Sequence, residues 1–162
     1  MFVAVSSSTA AAYSTDGIHW TASTLPSTAL ISVAYGNGVF VALRNSSTAA
    51  AYSTDGINWT ASTLPASTYW SSVAYGNGMF VAVSGSGRPC KTTAYSTDGI
   101  HWTAGNLLPS STYWTSVTYG NGTFVTVVCS PGSTTMAYST DGINWTAGTI
   151  PAGYWFGMAA RY

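Results

Sequence analysis

Short apolar runs of four or five residues recur along the whole chain, each bounded by Gly, Pro, Asn, Asp or Ser. Between residues 39 and 75 they are Phe40–Leu43, Ala50–Ser53, Asn58–Ser62 and Ser71–Tyr75. They are rich in Val, Tyr, Trp and Thr, the residues that fit a pleated surface. No stretch sustains the 3.6-residue period of an amphipathic helix. The pattern predicts an all-β chain with about four strands in every forty residues.

The runs belong to an internal repeat. Ser-Thr-Asp-Gly-Ile occurs at Ser14–Ile18, Ser53–Ile57, Ser96–Ile100 and Ser139–Ile143, each time followed by one residue and then Trp-Thr-Ala. Tyr-Gly-Asn-Gly-x-Phe-Val occurs at Tyr35–Val41, Tyr75–Val81 and Tyr119–Val125. The repeats fall at about residues 1–38, 39–78, 79–122 and 123–162 of a single domain. Four strands in each 40-residue repeat predict a four-bladed antiparallel β-propeller. Connector lengths set the blade phase. Asn-Gly and Asp-Gly are read as tight hairpin turns, which join only adjacent strands. Passing from the outer edge of one blade to the inner edge of the next needs a longer connector, and residues 63–69 suit it. In a blade of this phase, which spans parts of two sequence repeats, the innermost strand is Ser71–Tyr75, followed outward by Phe80–Val83, Thr93–Ser96 and His101–Ala104. The N-terminus supplies strands two to four of a blade. Residues 153–162 are expected to supply its inner strand and to close the ring, hiding the sheet edges.

The Ser-x-Asp-Gly-x-x-Trp motif resembles the Asp-box (BNR) repeat of sialidase-like β-propellers, usually Ser-x-Asp-x-Gly-x-x-Trp, with one residue fewer. Together with Phe-Val-Ala-Val and Ala-Tyr-Gly-Asn-Gly, it resembles repeats of bacterial surface and phage tail-associated proteins. The resemblance implies a structural role for the boxes, on the hairpin between the third and fourth strands. It implies no single function, because that fold hosts lectins, enzymes and scaffolds. The residues agree with a structural role. A short carboxylate in a turn accepts backbone N–H groups of its own hairpin, so Asp16, Asp55, Asp98 and Asp141 are read as turn locks. Trp20, Trp59, Trp102 and Trp145 are expected to bury large areas in each blade.

Charge narrows the function. Only 5% of residues are charged and the net charge is zero, which excludes nucleic-acid binding through a basic patch. No run reaches the roughly 20 apolar residues of a membrane helix, and no signal peptide is read at the start. All four acids lie in the boxes and there is no Glu. Two carboxyl groups therefore cannot flank a glycosidic bond, and the arginine cluster and Tyr–Glu pair of sialidases have no counterpart. His19 and His101 share one repeat position on blades expected to face each other across the ring, so they form no metal site. No Asp is expected behind either His to build a Ser-His-Asp arrangement. The chain is therefore expected not to be an enzyme, with no cofactor and no metal. Cys90 and Cys129 lie in or beside equivalent loops of successive repeats; the sequence leaves open a bridge between them and two free thiols.

What varies between repeats is the face opposite the Asn-Gly and Asp-Gly turns. It carries loops of different length, three of the four basic residues (Arg44, Arg88 and Lys91), and the aromatic pairs Tyr69-Trp70, Tyr113-Trp114 and Tyr154-Trp155. The first copy has Ala29-Leu30 in place of such a pair. Ser and Thr number 47. Aromatic faces among hydroxyls and a few cations suit sugar rings. The expected function is a non-catalytic, lectin-like binding module for glycans on a cell surface or virion. Trp70, Trp114 and Trp155 would stack and the three cations would make polar contacts. The competing expectation for the tryptophans is that they plug the gaps between blades. The competing expectation for function is a structural or assembly subunit, or a repeat-amplified scaffold without a ligand. Self-association remains open in two forms, a two-chain ring and a strand-exchanged polymer.

Overall fold

The computed structural model describes residues 1–85 and 87–161. Its fifteen strands form four antiparallel sheets in chain order. The first holds three strands: β1 (Phe2–Val5), β2 (Ala10–Ser14) and β3 (Thr21–Thr24). The second holds β4 (Leu30–Gly36), β5 (Val39–Arg44), β6 (Ser47–Ser53) and β7 (Thr60–Thr68). The third holds β8 (Trp70–Gly76), β9 (Met79–Ser84), β10 (Thr93–Ser96) and β11 (Thr103–Ala104). The fourth holds β12 (Trp114–Gly120), β13 (Thr123–Val128), β14 (Ser133–Ser139) and β15 (Thr146–Gly153). Within each sheet every strand pairs with its sequence neighbour, and β4, β8 and β12 pack side by side from sheet to sheet. The blade phase read from the connectors is the observed one.

The core lies between the sheets. Successive residues of a strand point to opposite faces, and the second and third blades bury both. On β9, Phe80 and Ala82 join a cluster with Val41, Leu43 and Leu64 of the preceding blade. Their alternates Val81 and Val83 join Leu108, Trp114 and Phe124, toward the following blade. A smaller cluster of Ala11, Leu25, Leu30, Ala42 and Ala51 joins the first two sheets. A Phe-Val-Ala-Val strand thus presents a large and a small residue to one neighbour and two valines to the other, which lets the sheets stack closely.

The inner strands meet through a ring-over-glycine contact. Gly36 lies under the ring of Tyr75, and Gly76 under the ring of Tyr119. The Asn-Gly turns are as expected. Asn37 and Gly38 both have positive φ, 49° and 78°, and Asn77-Gly78 and Asn121-Gly122 repeat this geometry.

Three expectations need correction. The Asp-Gly segments are not two-residue hairpins: residues 15–20 separate β2 from β3, and the outer strands begin two residues later than expected. The connector at residues 63–69 is largely strand, because β7 runs on to Thr68. Its Leu64–Ser67 stretch bulges between the pairs Ala49↔Thr63 and Ser47↔Thr68, which tucks Leu64 into the core. Most importantly, the C-terminal segment does not pair with β1. Among the described residues β1 pairs with β2 alone, and residues 154–161 form no strand. That segment instead lies along β12. The Thr115 hydroxyl donates to the Trp155 carbonyl at 3.1 Å, and Ala160 sits over Gly120, where the repeat would place a tyrosine. Tyr162, the last residue of the expected closing strand, lies outside the described residues.

Candidate functional site

Each Ser-Thr-Asp-Gly box is a closed hydrogen-bond unit. In the second blade, the buried Ser53 hydroxyl donates to Asp55 Oδ1 at 2.9 Å and accepts the Gly56 N–H at 2.8 Å. The same Oδ1 accepts the N–H groups of Ile57 (2.9 Å) and Asn58 (2.8 Å). Oδ2 accepts the Asn58 side-chain amide at 2.8 Å. The other three boxes repeat this set. All four carboxyls are held well below the ordinary carboxylate range. In Asp16, Asp55 and Asp141 the largest cause is the side-chain hydrogen bond from His19, Asn58 or Asn144, followed by the backbone N–H groups. At Asp98 desolvation pushes upward, and the bonds from His101 and the backbone outweigh it.

The histidines differ from expectation. His19 Nδ1 lies 2.7 Å from Asp16 Oδ2, and His101 Nδ1 lies 2.7 Å from Asp98 Oδ2. An Asp does stand behind each ring. Asn58 and Asn144 make the same bond in the other blades, so the contact is a turn lock that takes either an imidazole or an amide N–H donor. The sequence holds this signal in the shared spacing to the Asp. Among the described residues, no three His, Cys, Asp or Glu side chains gather. Cys90 and Cys129 are free thiols, with no bridge between them.

The box tryptophans lie between blades. Trp59, Trp102 and Trp145 pack against the three interblade clusters. Trp20, in the first of the described sheets, belongs to none of these clusters and is 47% exposed. Trp59, Trp102 and Trp145 are half-buried.

The loop face is the variable one. Pairs such as Phe40↔Ser53 place the Asn-Gly turns and the boxes at one end of the sheets. The loops from 44 to 47, 84 to 93 and 128 to 133, with the aromatic pairs, lie at the other end. There the Arg88 guanidinium carbon stands 5.1 Å from the centroid of the Tyr69 ring, a cation–π distance. Lys91 is exposed nearby in sequence, and Tyr113 is 40% exposed. Tyr154 is also exposed, and the neighbouring Cys129 thiol pushes its pKa up. Arg44 is half-buried and donates to the Ser27 hydroxyl at 3.3 Å.

Two proposed stacking residues are removed by the structure. Trp70 and Trp114 are 0% exposed, with indole N–H groups donating to the Ala66 and Ser110 carbonyls. They plug the interblade clusters and offer no face to a sugar. Leu30, at the same position of the first full blade, is also buried. The change from Trp to Leu there reflects a tolerant core position, not an exposed one. Trp155 is half-buried and bonds the Pro151 carbonyl at 3.3 Å.

Known structures share the architecture. Virginiamycin B lyase from Staphylococcus aureus superposes with a TM-score of 0.76 at 16% identity, covering 95% of this chain and 54% of the lyase chain. The GH74 enzyme of Niastella koreensis gives 0.55 at 22% identity, covering 82% of this chain and 20% of its own. YCF48 bound to D1 peptide gives 0.53 at 20% identity, covering 86% and 46%. No family model and no curated protein sequence matches the chain. These likenesses define a β-propeller-like fold, of which the chain spans about half the length of the lyase. They also correct one expectation. The chain was expected not to be an enzyme, yet the architecture it shares is that of a lyase and a GH74 enzyme, so exclusion of catalysis does not stand.

Proposed function

We propose that the protein is an Asp-box-type propeller module of a cell surface or virion. Its variable loop face recognises a carbohydrate. One observation carries this reading: the Arg88 guanidinium stacks on the Tyr69 ring at the end of the sheets whose loops differ most from blade to blade, where Lys91 and Tyr113 are exposed as well. Ring faces stack on sugar C–H groups, and Arg and Lys donate to hydroxyls. The opposite end is built from near-identical turns whose polar groups are already committed to their own hairpins.

A glycan array followed by calorimetric titration tests the proposal. Tyr69→Ala, Tyr113→Ala and Arg88→Ala should each weaken binding of an array hit by about tenfold, the scale of one aromatic or charged contact. An array without hits, or a hit bound equally by all three folded variants, overturns it.

A further inference from the structure

The two ends of the chain are complementary halves of one blade. The first sheet has strands two to four and no inner strand, and the inward edge of β1 is unpaired among the described residues. Beside that edge runs a slot of about 230 Å³, with Met1, Phe2 and Val3 on one wall and Val33, Ala34 and Tyr35 on the other. At the other end, residues 154–161 carry an inner-strand sequence without a sheet. Trp155, Met158 and Ala160 occupy the repeat positions of Trp70, Val73 and Tyr75. Internal junctions show what is missing. Asn58 bridges Thr24, His101 bridges Thr63, and Asn106 N–H donates to the Ile143 carbonyl, so each box segment docks on the outer strand of the preceding blade. In the first blade the docking residues are bare: Ile18 is 77% exposed and Trp20 47%. In the last blade the receiving position is half-open: Ile150 stands where Leu25, Leu64 and Leu108 are buried.

We propose that the occupant of the slot is a second copy of this chain. Residues 154–161 of one copy pair with β1 of the next and complete its first blade, while Ile18–Trp20 of that copy dock on Thr149–Ile150 of the first. The contact continues an interface that the fold already builds three times. It is heterologous, so it closes into a ring or runs on as a filament. The arc matches about half of a larger propeller-like chain, so two copies are the smallest closing number. The junction is weaker than the internal ones for two reasons. Gly157 replaces the serine that, as Ser32 and Ser72, accepts the N–H of Val73 and Val117. Arg161 replaces the glycine that, as Gly36 and Gly76, lies under a tyrosine ring, so Tyr35 cannot seat as closely.

Light scattering after size exclusion, from dilute to concentrated protein, reads the association, with amide exchange of residues 2–5 measured on the same samples. The full chain should associate in a concentration-dependent way, with Phe2–Val5 amides protected only in the assembled form. Truncation after Ala152 should leave a folded monomer. The double variant Gly157→Ser, Arg161→Gly should associate about tenfold more tightly, the effect of one restored hydrogen bond and one relieved clash. A monomer at every concentration in both parent and double variant overturns the proposal. Protected β1 amides in such a monomer would mean that the chain closes on itself. Equal association of the double variant and the parent also overturns it.

Discussion

Replacing Gly76 by alanine tests the contact that spaces the blades. A Cβ at this buried position would lie under 3.0 Å from three atoms of the Tyr119 ring. That ring cannot retreat freely, because it packs 4.7 Å, centroid to centroid, from the buried Phe124. Gly76 is not among the residues with positive φ, so alanine carries no backbone penalty there. By restricting the unfolded chain it should gain about 0.4–1 kcal/mol. The steric cost opposes this gain, since a methyl forced into a filled site costs about 1–3 kcal/mol. With three ring atoms crowding the Cβ, the steric cost lies in the upper half of that range, about 2–3 kcal/mol, so the net loss is about 1–2.6 kcal/mol, which lowers Tm by about 2–10 °C in a chain of this size. In a Tyr119→Ala background the methyl has room, and Gly76→Ala should become neutral or stabilising. Calorimetry and urea unfolding of the four proteins close a double-mutant cycle. No loss in the parent, or the same loss in both backgrounds, would refute the ring-over-glycine explanation.

Other consequences follow from the same geometry. Trp114→Ala should cost about 3–5 kcal/mol in urea unfolding, the range for a fully buried indole, and Trp155→Ala should cost far less because that ring is half-buried. His101→Asn should change stability by no more than about 0.5 kcal/mol, since Asn58 and Asn144 make the same bond to their Asp; His101→Ala should melt below both. Folding lowers the pKa of all four aspartates, so their contribution is fully present above the unfolded carboxylate value, about 3.9, and is lost as pH falls through the folded values. Tm measured down a pH series should therefore drop below about pH 4, and Asp55→Asn should flatten part of that drop.

Much of the fold was legible because the repeat states the same rule several times. Asn-Gly demands a turn with positive φ, the strand composition demands a sheet, and the stretch between Thr63 and Tyr69 is long enough to cross a blade. Those features are local, and local chemistry decides them. The boxes were legible as turns, but not as the six-residue units in which a carboxylate ties down two N–H groups and a His or Asn side chain. The candidate site was legible only in outline. Tyr69-Trp70 reads as one aromatic pair, yet adjacent strand residues point to opposite faces. Trp70 therefore enters the core, while Tyr69 stays under Arg88.

The sequence by itself determined the strands, their order within a blade, the turn chemistry and the end of the sheets on which variation collects. Each is set by residues within one repeat. Only the tertiary structure decided which aromatics are buried, because that depends on the neighbouring blade. It also decided that, among the described residues, 154–161 lie along β12 and do not pair with β1. Closure depends on the angle accumulated across several interblade interfaces, a sum that no single repeat encodes. Near-absence of charge turned out to reflect both facts: the acids serve as turn locks, and the uncharged sheet faces are free to stack.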